Sequence, residues 1–425
     1  MHRVQKLPDG ALESRRRSPT QAAGRRGCPP PAPDAAVLDT LATAEWRVTW
    51  NMPTAAERRI PIFAVTDVEQ LEFGPDFHGN LQGVAWPLRL KTIQFRLYSP
   101  FNQPIKLVKW PASLQRLVLG MSFNQPIEQV SWPDSLQELR FGHHFNHQIE
   151  GVSWPEALQT LHLGFNFNLP ILAVRWPASL LKLVFGAWFN QPIEGVSWPA
   201  SLQKLHFLGE IDKPIEGASW PDLLQRLIFG FSFNQPIEGV CWPGSLQELY
   251  FGAGFNQPIG GVSWPDSLQK LEFGEYFNQP IDRVSLPASL QDLTFRGEFD
   301  HPTEGVSWPD SLQKLSFGFA FNKALEGVSW PDSLQELSFG HEFNQPIEEV
   351  RWPVSLRTPT VGHDFKQSTV GARWPPGFEL VHYCALDLWD TWRQQSMLST
   401  SMFTEVSWPA SLERLFAGEA FNQGH

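Results

Sequence analysis

The chain has 425 residues, and its 37 Pro, 19 Trp and 32 Phe against 4 Tyr and 5 Met are the composition of one short phrase repeated many times. Its net charge of −11 sits in the body: residues 1–35 hold seven bases against three acids, near +4, and 36–60 balance, which leaves about −15 for 61–425. A body so acidic argues against a nucleic-acid partner, which needs clustered Lys and Arg, and no apolar run approaches the roughly 20 residues of a membrane-spanning helix.

Residues 1–60 read as a disordered, basic, Pro-rich leader with an N-terminal cap at its end. Met1 to Leu7 contains no apolar signal region. The Arg, Ser and Ala content resembles a transit peptide faintly, but Asp9, Glu13 and the run Pro29-Pro30-Pro31 fit a plain leader better. Cys28, Cys241 and Cys384 are odd in number, far apart and without metal-site spacing, so reduced thiols in a cytoplasmic protein are expected.

From residue 61 to 375 a single period governs. The dipeptide Trp-Pro recurs every 22 residues from Trp110 to Trp374, with Leu286-Pro287 filling the one gap. The step from Trp86 to Trp110 is 24, consistent with two extra residues near Leu97 and Tyr98. A worn copy precedes them at Val68, Leu71, Phe73, Gly74 and Phe77.

In the unit that starts at Trp330, the apolar positions are Leu334, Leu337, Phe339, Phe343, Ile347 and Val350. Leu337-Ser338-Phe339 alternates as a short strand does. Gly340 permits a turn that a Cβ would forbid, and Pro331 and Pro346 belong at corners. Pro-Asp-Ser-Leu-Gln-Glu is about one turn long before the strand, which predicts a turn or short 3₁₀ segment and no helix. One or two strands and three bends in 22 residues make one turn of a solenoid. No unit can bury its own apolar side chains, so stability must come from neighbouring copies. The expected fold is a mainly β repeat solenoid of about fifteen stacked coils, spaced by the strand separation of about 4.8 Å.

Residues 376–402 match nothing in the pattern; a looped-out insertion and a mis-assembled coding segment both account for them. Residues 403–425 begin one more repeat and stop at Phe421-Asn422-Gln423. No polar cap follows that coil, so its sheet edge is open to self-association.

Stacking predicts two ladders. The Asn at positions such as Asn124, Asn146, Asn256 and Asn344 would recur at one bend of every coil, a buried amide satisfying backbone groups there. The Trp column would stack indole faces along one edge. Both read as structure, because a binding residue need not appear in every copy.

The run Ser333-Leu334-Gln335-Glu336-Leu337-Ser338-Phe339-Gly340 followed by Phe343-Asn344-Gln345-Pro346-Ile347 resembles the FNIP repeat, named for its Phe-Asn-x-Pro signature. The resemblance covers residues 66–375 and 403–423. That family is grouped with leucine-rich repeats and occurs in social amoebae and other protists, some members carrying an F-box. The resemblance therefore implies a leucine-rich-repeat-like solenoid. This chain departs from it in placing Trp-Pro where Leu-Pro is usual, with Leu286-Pro287 alone keeping that form. Its Asn comes two positions later than in a leucine-rich repeat. Nothing in residues 1–65 resembles an F-box.

No enzyme constellation is present: there is no Gly-rich phosphate loop, nucleophile elbow or HExxH, and no catalytic residue, cofactor or metal site is expected. His143, His144 and His147 cluster in sequence, but His143 and His144 should point apart. His162 and His206 share a strand position two coils apart, about 10 Å, too far to share a metal. Function is expected where copies differ, at the two residues after each Gly and the middle of each strand. Partner-binding candidates there are Trp188, Phe231, Tyr250 and Tyr276 as anchors, with His143, His144, Phe165 and His341. A row of carboxylates at Glu128, Glu150, Glu194, Glu216, Glu238, Asp282, Glu304, Glu326 and Glu348 suits a solvated face, or a cation or basic partner. The expected function is a non-enzymatic protein–protein interaction scaffold; a self-associating structural protein is the alternative.

Overall fold

The computed structural model describes residues 68–368 and 372, and the backbone of the short strands 2–7, 45–50 and 381–382. It is a parallel β-solenoid of about 13 turns of about 22 residues, against the fifteen expected, with no helix among the described residues. Each turn contributes one strand. Contacts divide the chain into one unit of Met1–Gln191 with Val196–Leu202 and a second of Pro192–Gly195 with Gln203–His425.

In the first unit the strands are β1 (His2–Leu7), β2 (Glu45–Trp50), β3 (Val68–Phe73), β4 (Thr92–Phe95), β5 (Arg116–Val118), β6 (Glu138–Arg140), β7 (Thr160–His162) and β8 (Lys182–Phe185). β1 and β2 lie inside the segment read as a leader; they pair antiparallel, and β2 pairs parallel with β3. From β3 onward every pairing in this unit is parallel. Leu71 faces Ile93, Ile93 faces Leu117, and Leu117 then faces Leu139. The worn first copy is thus a true coil. The two extra residues after β4 leave the register intact, because Met121 donates its N–H to the Leu97 carbonyl at 2.9 Å and so absorbs them into the corner.

The second unit contains β9 (Lys204–Phe207), β10 (Arg226–Ile228), β11 (Glu248–Tyr250), β12 (Lys270–Phe273), β13 (Asp292–Phe295), β14 (Lys314–Ser316), β15 (Glu336–Ser338), β16 (Thr358–Val361) and β17 (Val381–His382). Its register runs Leu205, Leu227, Leu249, Leu271, Leu293, Leu315 and Leu337 in one column. β17 falls within 376–402, and it prolongs this ladder by pairing with Thr360 and Val361. The other residues of 376–402, all of 403–425 with the expected open edge, Cys28 and Cys384 lie outside the described residues.

The six apolar positions of the unit are the core. Leu334, Leu337, Phe339, Phe343, Ile347 and Val350 are each 5% exposed or less. The Phe rings stack along the solenoid, as in Phe145 on Phe167 (6.2 Å between centroids, 8° between planes) and Phe255 on Phe277 (6.0 Å, 3°). Thr303 replaces Ile in its column and is fully buried, its hydroxyl without a hydrogen-bond partner among the described residues.

Each coil bends at three turns, closed in the Trp330 unit by Leu334 N–H to the Pro331 carbonyl (3.1 Å), Phe343 N–H to Gly340 (3.4 Å) and Val350 N–H to Ile347 (3.3 Å). The Pro-Asp-Ser-Leu stretch is therefore a turn, as its length predicts. The Asn ladder is present: the Asn146, Asn168 and Asn190 N–H groups donate to the side-chain oxygen of the Asn one coil earlier at 2.9–3.0 Å. It differs from expectation in lying at a half-exposed edge and not in the interior, because the amide reaches the backbone of the next coil and needs no core position. The Trp column stacks as predicted, with neighbouring rings 5.9–6.5 Å apart and 12–20° from parallel.

Candidate functional site

The corner after each strand is held by a second set of backbone bonds, between coils. In the first unit Asn166 donates to His143 and Trp188 to Phe165, at 2.8 and 3.0 Å. In the second, Gly254 donates to Phe231, Tyr276 to Ala253, Glu342 to Phe319 and Asp364 to His341, at 2.7–3.0 Å. These bonds fix the backbone of the two residues that vary most from copy to copy, and leave their side chains to point outward.

The first unit's corner row carries His143, His144 and Phe165, all exposed, and Trp188, which is 59% exposed. The His143 and Phe165 rings meet at 5.4 Å. His147 does not join the other two imidazoles: its Nε2 lies 3.1 Å from the Asn124 carbonyl, in the place that Gln takes in other coils. In the second unit the row carries Phe231 (58% exposed), Tyr276 (50%), Phe319 (38%) and the half-buried His341. These are large apolar side chains exposed at positions that the fold does not require to be apolar.

Tyr250 stands elsewhere. It lies on the strand row, half-buried, with its hydroxyl donating to Glu248 Oε2 at 2.7 Å. The Arg226 guanidinium sits 4.8 Å and the Lys270 ammonium 5.6 Å from its ring centroid. Burial, followed by the bond to the Glu248 carboxylate, pushes its ionisation well above the ordinary phenol range. Its ring and hydroxyl are engaged within the sheet.

Over part of the solenoid the first residues of neighbouring strands form a charge ladder that the sequence reading passed over. Arg116 pairs with Glu138 at 3.1 Å in the first unit. In the second, Arg226 pairs with Glu248 (3.2 Å), Lys270 with Asp292 (2.9 Å) and Lys314 with Glu336 (3.3 Å). The signal was available as alternation of sign at one repeat position from Arg226 to Glu336. Opposite charges on adjacent strands favour this register over a slipped one.

The carboxylate row is exposed at Glu150, Glu194, Glu216, Glu238, Asp282, Glu304, Glu326 and Glu348, and half-buried at Glu128. It occupies the Ile-Glu-Gly-Val turn, where glycines such as Gly151 and Gly327 take φ of 78° and 77°, a conformation costly to residues with a Cβ.

A second cluster that sequence reasoning missed gathers at the last described corners: His341, His363 and Asp364. Asp364 spans both imidazoles, with Oδ1 3.1 Å from His363 Nδ1 and Oδ2 3.6 Å from His341 Nδ1. The hydrogen bond from His363 is the main cause that holds the Asp364 carboxyl below its ordinary range, with the charges of His341, His363 and Lys366 adding. The signal was again positional, two His at one repeat site one coil apart.

The profile of the FNIP Repeat family matches residues 101–144, 189–232, 233–276, 277–320 and 321–358. The chain belongs to the FNIP repeat family. Among solved structures this FNIP repeat protein is similar to CroV588, described as a novel circular LRR protein, with a TM-score of 0.71 and 36% identity over 79% of this chain and 50% of that one. The chain therefore spans about half the length of that relative. It also shares its fold with a chain of the TLR13–ssRNA13 complex, at a TM-score of 0.50 and 15% identity, covering 71% of this chain and 51% of that one. Nothing matches among curated proteins. No helix among the described residues is long and apolar enough to cross a membrane.

Proposed function

We propose that this FNIP repeat protein is a non-enzymatic scaffold that binds protein partners along the corner row of its coils. Leucine-rich-repeat-like folds are commonly used for protein interaction, and the fold is typically non-enzymatic. What supports the reading most is the contrast within each coil. Every fixed letter is spent on core, turn or ladder, whereas Phe165 and Trp188 in one unit, and Phe231 and Tyr276 in the other, are exposed on backbone tied to the next coil. Rigid, exposed aromatic side chains lose little freedom on binding, which is why they dominate interfaces. The exposed carboxylate row and the acidic body favour a basic protein surface over nucleic acid. A cytoplasmic setting fits the odd, widely spaced cysteines, of which Cys241 is a free thiol.

The test is affinity purification from the native cell with quantitative mass spectrometry, comparing the wild type with Trp188→Ala, Phe231→Ala and Tyr276→Ala combined. The expected result is loss of the enriched partners with an unchanged far-UV circular dichroism spectrum. Recovery of the same partners by the variant would sink the corner row as the binding surface.

A further inference from the structure

Among the described residues, one group of three metal-ligating side chains converges: the ligand atoms of His341, His363 and Asp364 all lie within 4.8 Å of one another. The 3.6 Å between His341 Nδ1 and Asp364 Oδ2 is too long for a hydrogen bond. It is close to the ~3.3–3.4 Å that separates neighbouring donors around a tetrahedral ion with bonds of about 2.0–2.1 Å. The two rings are neighbours before any ion arrives, and because stacked rings aim their nitrogens along parallel lines, one must turn out of the stack to share an ion. His341 stacks on Phe319 at 4.7 Å and on His363 at 5.1 Å, each within 11° of parallel. Asp364 is tied to the coil before it by its N–H to the His341 carbonyl, at 3.0 Å.

We propose that His341, His363 and Asp364 bind a divalent transition-metal ion, with zinc the best chemical match. Two imidazoles and one carboxylate are a donor set suited to zinc, whereas calcium and magnesium take oxygen donors. Zinc also imposes no electronic geometry, so small movements of three side chains on adjacent coils suffice to close the site. Three protein ligands leave a fourth position for water. A shallow groove of about 400 Å³, lined by Glu275, Arg296, Phe319, His341 and His363, opens beside the cluster and gives an ion access.

The full chain titrated with Co²⁺, a spectroscopic stand-in for zinc, tests this. The expected result is visible absorption that saturates at one equivalent and is abolished by adding Zn²⁺. His363→Asn and Asp364→Asn should each weaken binding by at least about tenfold, with an unchanged metal-free melting temperature. The double variant His143→Asn with His144→Asn should bind as the wild type does. Absence of saturable binding, or binding unchanged in His363→Asn, would overturn the assignment.

Discussion

Where a glycine follows the strand, as it does in most coils though not, for instance, after Phe207 or Phe295, it is required by proximity and not by its own dihedral angle. Gly340 has no positive φ, yet a Cβ there would overlap the carbonyl of Gly318, and the same holds for Gly252 against Gly230. The turn that the sequence assigned to glycine's conformational freedom is thus a close backbone approach between coils. Gly252→Ala should therefore destabilise the protein by about 1–3 kcal/mol. Gly244→Ala, where a Cβ meets nothing within 4 Å, should stay within about 0.5 kcal/mol of the wild type. Chemical denaturation of the two variants checks the contrast. Glu275 supplies a second residue-scale prediction. Burial raises its pKa, the Arg296 charge opposes this and Glu298 adds to it. The folded state thus holds the proton more tightly than the unfolded chain, and stability falls as pH rises through the raised value. Glu275→Gln should consequently raise the melting temperature at pH 7, and the gain should shrink as pH is lowered towards 4; a gain independent of pH would contradict the burial argument.

At the scale of the element, one column of side-chain oxygens links each bend to the next. Asn256 Oδ1 accepts from the Asn278 N–H at 2.9 Å and from Gln279 Nε2 at 3.0 Å. The chain itself has tried the carboxylate twice. Asp212 Oδ1 takes the Asn234 N–H at 3.0 Å, and Asp300 takes that of Asn322 at 2.9 Å while Lys323 replaces Gln and donates to its other oxygen at 2.5 Å. Only an acceptor is needed. Asn256→Ala should cost about 1 kcal/mol and Asn256→Asp close to nothing, as thermal melts of both will show. The strand, the turns and the Asn and Trp columns were legible in the sequence because each is written in every copy. The interior of Leu337, Phe339 and Phe343 was legible for the same reason. What was not legible depends on one particular copy and its neighbour. Tyr250 looked like an exposed anchor until Arg226, Glu248 and Lys270 closed on it. His341 was read as one residue of a variable surface, and its meeting with His363 is a contact between neighbouring coils that 22 positions of sequence hide.

For the whole molecule, stability resides in the interfaces between coils, so the number of coils should matter less than their phase. Deleting 256–277 removes one complete repeat of 22 residues and rejoins like to like. The product should keep its β spectrum and melt a few degrees lower. Deleting 256–266 puts Leu and Phe out of register with the columns above and below, and should abolish cooperative melting. If both deletions behave alike, the coil is not the unit of folding. Such a scaffold separates its tasks: letters that repeat build the solenoid, and letters that differ at the corners are free to recognise. Site-specific photo-crosslinking in the native cell measures that division most directly. With the crosslinker at Phe231 or Trp188, discrete partner adducts should form, and with it at Glu238 on the turn row they should be far weaker. Equal adducts at all three positions, or adducts confined to Glu238, would contradict the assignment of recognition to the corner row.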